Sequence, residues 1–155
     1  MRKVLLALAA TAAVAAATPA LANEARVEAR GGVVWLPGAS KGTAGIAAGY
    51  DFDLGSSAFA GLEVSGDKVL TSGTQVAFGF TGRGGIKAGD KVKIFAAGGY
   101  TTEFASGLGG NWHAGVGANL DVTKNVYLTT EYRHFFKNNT GFDSDALVAG
   151  VGMKF

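Results

Sequence analysis

Cysteine is absent from this 155-residue chain. Small exported domains often staple themselves with disulfides, so this one must hold together by backbone pairing and packing alone. Without a thiolate, and with only two histidines, the sequence offers no recognisable transition-metal ligand set. Proline is scarce too, with just Pro19 and Pro37. Glycine, by contrast, occurs 25 times. Disordered low-complexity tails usually carry both residues in excess. Abundant glycine with little proline instead suits small side chains on curved strands. Charge of one sign is also lacking. Residues 1–22 hold two basic residues and no acidic ones, which leaves 12 Lys+Arg against 12 Asp+Glu in residues 23–155. No basic stripe marks a nucleic-acid partner.

The chain has one long apolar run, Val4 to Ala17, preceded by Arg2 and Lys3 and followed by Pro19 and Ala20-Leu21-Ala22. A basic start, an apolar run and small residues at −3 and −1 of a cut form the layout of a secretory signal peptide. The run is short for a transmembrane helix, which needs about 20 apolar residues. The expected cut falls between Ala22 and Asn23. Residues 1–22 are then the signal and residues 23–155 a single domain.

Beyond Asn23 helical periodicity is missing and period-two alternation recurs. It predicts eight strands, near residues 25–35, 43–53, 58–66, 74–87, 91–104, 111–122, 126–136 and 145–155. These exceed the roughly 5–6 residues of an average soluble strand and match the roughly 9–11 of a tilted membrane strand. Tight turn sequences at 54–57, 88–90 and 123–125 alternate with longer segments near 37–42, 67–73, 105–110 and 137–144. Outer-membrane barrels show this asymmetry, with short periplasmic turns and longer outer loops. The expected fold is therefore an all-β, eight-stranded antiparallel up-and-down barrel spanning the membrane.

Direction follows from parity. Leu147, Ala149, Val151, Met153 and Phe155 form one face of the last strand, while Lys154 and two glycines fall on the other. Val27, Val33 and Trp35 likewise oppose Arg26, Glu28 and Arg30. A soluble barrel alternates as well, but with its apolar parity inward. Here the charged parity mixes both signs with glycine, as a narrow polar lumen would. A basic side chain on the lipid face at mid-membrane costs about 2–4 kcal/mol, and buried charges must pair. An interior ion-pair network is expected from Glu28, Arg30, Glu63, Arg83, Lys93, Glu131 and Arg133, with Glu131 and Arg133 central. Phe59, Phe95, Tyr127 and Phe135 share the inward parity. They either plug the ends of the lumen or mark a register slip at a glycine bulge. Aromatics at strand ends predict two interfacial girdles. Trp35, Tyr100, Phe104, Trp112, Tyr132 and Phe136 would lie near the outer rim, and Tyr50, Phe52 and Phe155 near the periplasmic one.

The segment Val116–Asn125 followed by Val126–Arg133, with its Glu131-Tyr132-Arg133 strand, resembles the penultimate hairpin of small opacity-type, porin-family barrels. That group is similar to the membrane domain of outer membrane protein A. The terminal Val151-Gly152-Met153-Lys154-Phe155 resembles the C-terminal signal of bacterial outer-membrane barrels. This resemblance implies that the barrel assembly machinery reads Met153 and Phe155. It also implies residence in the Gram-negative outer membrane, among lipid and lipopolysaccharide. The chain departs from adhesive and invasion members in its short outer loops. It also leaves no room after Phe155 for a peptidoglycan-binding domain.

Some outer-membrane barrels are enzymes. A lipid A deacylase family carries a His-x-Ser pair with a carboxylate nearby, but here His134 is followed by Phe135 and Phe136. His113 is expected inward, within reach of Glu103. With no nucleophile–base pair in view, no catalytic residue, cofactor or metal site is expected. Gly107–Gly110 and Gly82–Gly85 lack the strand-to-helix setting of a nucleotide loop. The function expected is a non-enzymatic structural or surface barrel with little or no pore activity. The alternatives are a small-ligand-binding barrel and a soluble periplasmic one.

Overall fold

A computed structural model describes residues 23–138 and 141–155. The expected signal segment, including Ala22, lies outside the described residues. Asn23 is described, and its side-chain oxygen accepts a hydrogen bond from the Asp53 backbone at 3.3 Å.

Eight strands run in chain order: β1 Glu24–Leu36, β2 Ala39–Leu54, β3 Ala58–Val69, β4 Val76–Lys87, β5 Val92–Thr101, β6 Asn111–Asp121, β7 Val126–Phe135 and β8 Ser144–Lys154. Each pairs antiparallel with its neighbours, and β8 returns to β1 to close the barrel. That seam runs from Arg26↔Lys154 to Trp35↔Asp145 and extends one bond further, from the Phe155 N–H to the Ala25 carbonyl at 2.9 Å. Closure leaves no unpaired edge, which a bilayer requires because it offers no water to the backbone. The strands are 10–16 residues long, enough to cross the hydrocarbon with a tilt.

Three boundaries differ from the sequence reading, and one is the end of β3, which runs to Val69 and so carries Asp67 within the strand instead of in the expected connection over 67–73. The expected connection over 37–42 is a two-residue turn, since β2 already begins at Ala39. Pro37 presets φ for the first central position, and Gly38 takes φ +74 at the second, so Trp35↔Ser40 and Leu36↔Ala39 pair directly. β5 stops at Thr101 instead of running to residue 104, which leaves 102–110 as the longest outer connection. There Thr102 bonds β4 through both its backbone and its hydroxyl, each at 2.8 Å to Phe78.

Parity is continuous through every strand, and the ladders carry no bulge at the four inward aromatics. Leu62, Val64, Phe78, Phe80, Ile86, Val116 and Val151 are exposed on the outer surface. Arg26, Glu28, Arg30, Asp51, Glu63, Arg83 and Arg133 are buried inside. A soluble barrel would need the opposite arrangement, because so large an exposed apolar surface would aggregate in water.

Candidate functional site: the lumen and its outer mouth

Strands β1, β3, β5 and β7 run outward, so each inward side chain has a definite height. At the periplasmic end Lys93 contacts Glu24 at 2.7 Å, Lys87 contacts Asp53 at 2.6 Å, and Lys154 reaches both Asp121 and Glu24. Above these pairs Phe59, Phe95 and Tyr127 fill the bore, exposed by 1%, 4% and 1%. The Arg83 guanidinium lies 4.6 Å from the Phe95 ring centre and 5.3 Å from that of Phe59. Glycine makes room for this plug. A Cβ at Gly152 would overlap the Tyr127 ring, and one at Gly117 would overlap Phe95. These three aromatics therefore plug the periplasmic end, while Phe135 sits at the outer one.

The central layer is a network of guanidinium and carboxylate groups. Glu63 is its hub, accepting from Arg26 at 2.6 Å and Arg30 at 3.1 Å, with Arg133 3.7 Å away. Arg30 forks onto both oxygens of Asp67 at 2.9 and 2.7 Å. Glu28 lies 3.4 Å from both Arg26 and Arg30 and accepts from the Tyr127 hydroxyl at 2.9 Å. Arg133 forks onto Glu131 with two bonds of 2.9 Å.

This geometry revises the expected network in three ways. Glu131 and Arg133 form a flanking pair, and Glu63 holds the centre. Arg83 and Lys93 contact none of the other expected members. Arg83 forks onto Asp51 at 2.9 and 2.6 Å, and Lys93 joins Glu24. Arg26 and Asp51, among the most buried side chains of all, connect the two groups across 3.6 Å. Sequence alone had a signal for Asp51, since it shares its parity with Ala47 and Gly49 on β2. His113 does not meet Glu103 either. Its two ring nitrogens face the hydroxyls of Thr81 and Thr101, each at 3.0 Å. Glu103 lies beyond the end of β5 and bonds Gln75 and the Gly107 backbone.

At the outer end the lumen turns apolar. Val34, Val69 and Ala146 form a collar against which Leu36, Phe104 and Phe135 pack. Phe104 thus leaves the expected outer girdle and turns into the mouth. The Gln75 backbone N–H, bonded to the Phe104 carbonyl at 2.8 Å, fixes that turn. The other expected ring residues lie on the outward side. Tyr100 meets Trp112 edge-on at 5.4 Å, and Tyr50 meets Phe52 at 5.0 Å. Trp35, Phe136, Met153 and Phe155 are exposed there. Tyr132 donates from its hydroxyl to Asp145, which also lies 2.8 Å from His134 Nδ1. Phe136 packs edge-on against His134 at 4.8 Å. No serine or threonine hydroxyl bonds His134 among the described residues, and no cluster there could hold a metal ion.

No curated protein matches this chain. Among solved structures it is similar to the N-terminal β-barrel domain of Pseudomonas aeruginosa OprF, with a TM-score of 0.63 and 13% identity over 85% of this chain and 97% of that one. Neisserial surface protein A superposes with a TM-score of 0.58 and 16% identity, over 86% of this chain and 97% of the other. The outer membrane enzyme PagL also gives 0.58 and 16%, over 84% and 98%. At such identities the likeness shows the fold alone. The family model described as the outer membrane protein beta-barrel domain matches residues 5–155, and with it the charged lumen and apolar exterior have their setting: this chain belongs to the outer membrane protein β-barrel domain family.

Proposed function

We propose that the protein is a non-enzymatic resident of the outer membrane with a structural or surface role and little or no pore activity. One observation carries this reading. Arg26, Asp51, Phe59 and Tyr127 are all under 2% exposed inside a barrel of eight strands. Side chains fill a bore of this size, and here Arg26 and Asp51 are held by ion pairs, Tyr127 by its hydrogen bond to Glu28, and Phe59 against the Arg83 guanidinium. Among the described residues no serine or threonine hydroxyl stands on His134, and the Tyr132 hydroxyl donates to Asp145, which supports the non-enzymatic reading because hydrolysis by this route needs a nucleophile activated by the imidazole. Connections no longer than 102–110 support a compact resident over a protein displaying long adhesive loops.

Export is proposed to follow the signal layout of residues 1–22, with cleavage between Ala22 and Asn23. Assembly is proposed to use Met153 and Phe155, exposed at the end of β8, as the contact for the barrel assembly machinery. Lipid and lipopolysaccharide are the proposed neighbours of the apolar exterior, with the outward Trp and Tyr rings at headgroup level. Planar-bilayer recording of the refolded protein is the test. The expected result is small or absent conductance, and large stable channels would refute the closed-bore reading.

A further inference from the structure

The outer mouth holds a cavity of about 80 Å³. Its walls are the apolar collar of Val34, Val69, Ala146, Phe104 and Phe135, and its floor includes Arg133. We infer that this cavity is a blind binding pocket for a small, uncharged, slim apolar molecule ending in a carbonyl, ether or hydroxyl oxygen. This goes beyond the closed-bore reading, since a plugged barrel can still carry a pocket above its plug.

The first argument is an unused donor. Arg133 is 4% exposed, and its Nε and Nη2 are spent on Glu131. Its Nη1 has no hydrogen-bond partner among the described residues. Nor is that nitrogen sealed. Among the described residues the fully enclosed side-chain polar atoms without a hydrogen-bond partner are Arg26 Nε, Tyr50 Oη and Asn119 Oδ1, so Nη1 remains accessible, and the cavity is the space that Arg133 lines. A buried donor left unmade costs free energy, and an oxygen seated here would recover it.

Charge fixes the ligand class. Arg26, Arg30 and Arg133 share the layer below the collar with Glu28, Glu63, Asp67 and Glu131. Carboxylates already outnumber guanidinium groups, so a further anion gains no net attraction. A cation would have to sit beside the Arg30 and Arg133 guanidinium groups, and the carboxylate that lines the cavity, Asp67, already accepts from Arg30 on both oxygens. A neutral acceptor satisfies the donor without disturbing this balance. Size fixes the shape, because a cavity that takes benzene measures about 150 Å³. A space near 80 Å³ suits a linear aliphatic body in preference to a ring.

The test uses full-length processed protein in lipid nanodiscs, titrated with 2-hexanone, hexanoate and hexylammonium and read by methyl NMR. The expected result is a saturable shift with 2-hexanone at the Val34, Val69 and Ala146 methyls, with much weaker responses to the two ions. Val116 and Val151, on the lipid face, should report only linear partitioning. Ala146→Phe fills the collar without touching the ion pairs and should abolish the saturable shift. If that variant fails the heat-modifiability check for folding, Val69→Phe fills the same space from β3 and carries the same expectation. A purely linear response at the mouth, or a saturable shift that survives cavity filling, would overturn the pocket. Equal saturation by hexanoate would overturn the ligand class. Neither result bears on conductance, so the two readings fail separately.

Discussion

Glu63→Gln removes one charge and keeps the side chain's shape, so it isolates the electrostatic role of the network hub. Glu63 is 6% exposed and stands among three guanidinium groups, at 2.6 Å from Arg26, 3.1 Å from Arg30 and 3.7 Å from Arg133. Breaking a buried ion pair by removing one partner costs about 3–5 kcal/mol. No cation is fully orphaned here. Arg26 keeps Glu28 and Asp51, Arg30 keeps Asp67, and Arg133 keeps Glu131. The expected cost therefore lies at the lower end, about 3 kcal/mol. With a urea m-value of about 1–3 kcal/mol/M, the unfolding midpoint should fall by at least about 1 M. The assay is urea unfolding from lipid vesicles, followed by tryptophan fluorescence, because Trp35 and Trp112 both face outward and leave the bilayer on unfolding. Heat-modifiable gel migration provides an independent count of folded barrels. Lys124→Ala, at an exposed turn position, serves as the control and should stay within about 0.5 kcal/mol. A midpoint for Glu63→Gln that matches Lys124→Ala would refute the view that this layer is mutually dependent.

Two further predictions address the two faces of the wall. Gly152→Val places a branched side chain against the Tyr127 ring and should cost about 1–3 kcal/mol in the same unfolding assay. Gly98→Val, on the lipid side with no side chain within 4 Å of its would-be Cβ, should be tolerated; equal losses at both sites would deny the plug its packing role. Val116→Arg, in the middle of β6 and 58% exposed, should lower stability by about 2–4 kcal/mol in vesicles. An unchanged midpoint for that variant would mean this surface does not face hydrocarbon.

The inward aromatics show how far sequence reasoning reaches. Phe59, Phe95 and Tyr127 fell on the charged parity, and alternation alone left two explanations open, a plug or a slipped register. The unbroken ladders select the plug, because Gly117 and Gly152 on neighbouring strands leave space for these rings. That space belongs to the packing between strands, which a single strand's pattern does not carry.

Alternation by itself determined the strand count, the direction of each face and the inward placement of Arg26, Glu28, Arg30, Glu63, Arg83, Lys93, Glu131 and Arg133, whereas Asp67 fell in an expected connection and Asp51 was not singled out. It could do so because side chains on a strand alternate strictly, so polarity reads directly as in or out. The identity of the partners was decided only by the closed barrel. Arg30 reaches Asp67 and Arg83 reaches Asp51, across 37 and 32 residues of sequence. Strand tilt and stagger set which inward positions share a height, and these are properties of the assembled sheet. The same holds for Phe104. Its outward or inward turn depends on where β5 ends and on the Gln75 bond from a separate loop, so only the tertiary structure could place it in the mouth.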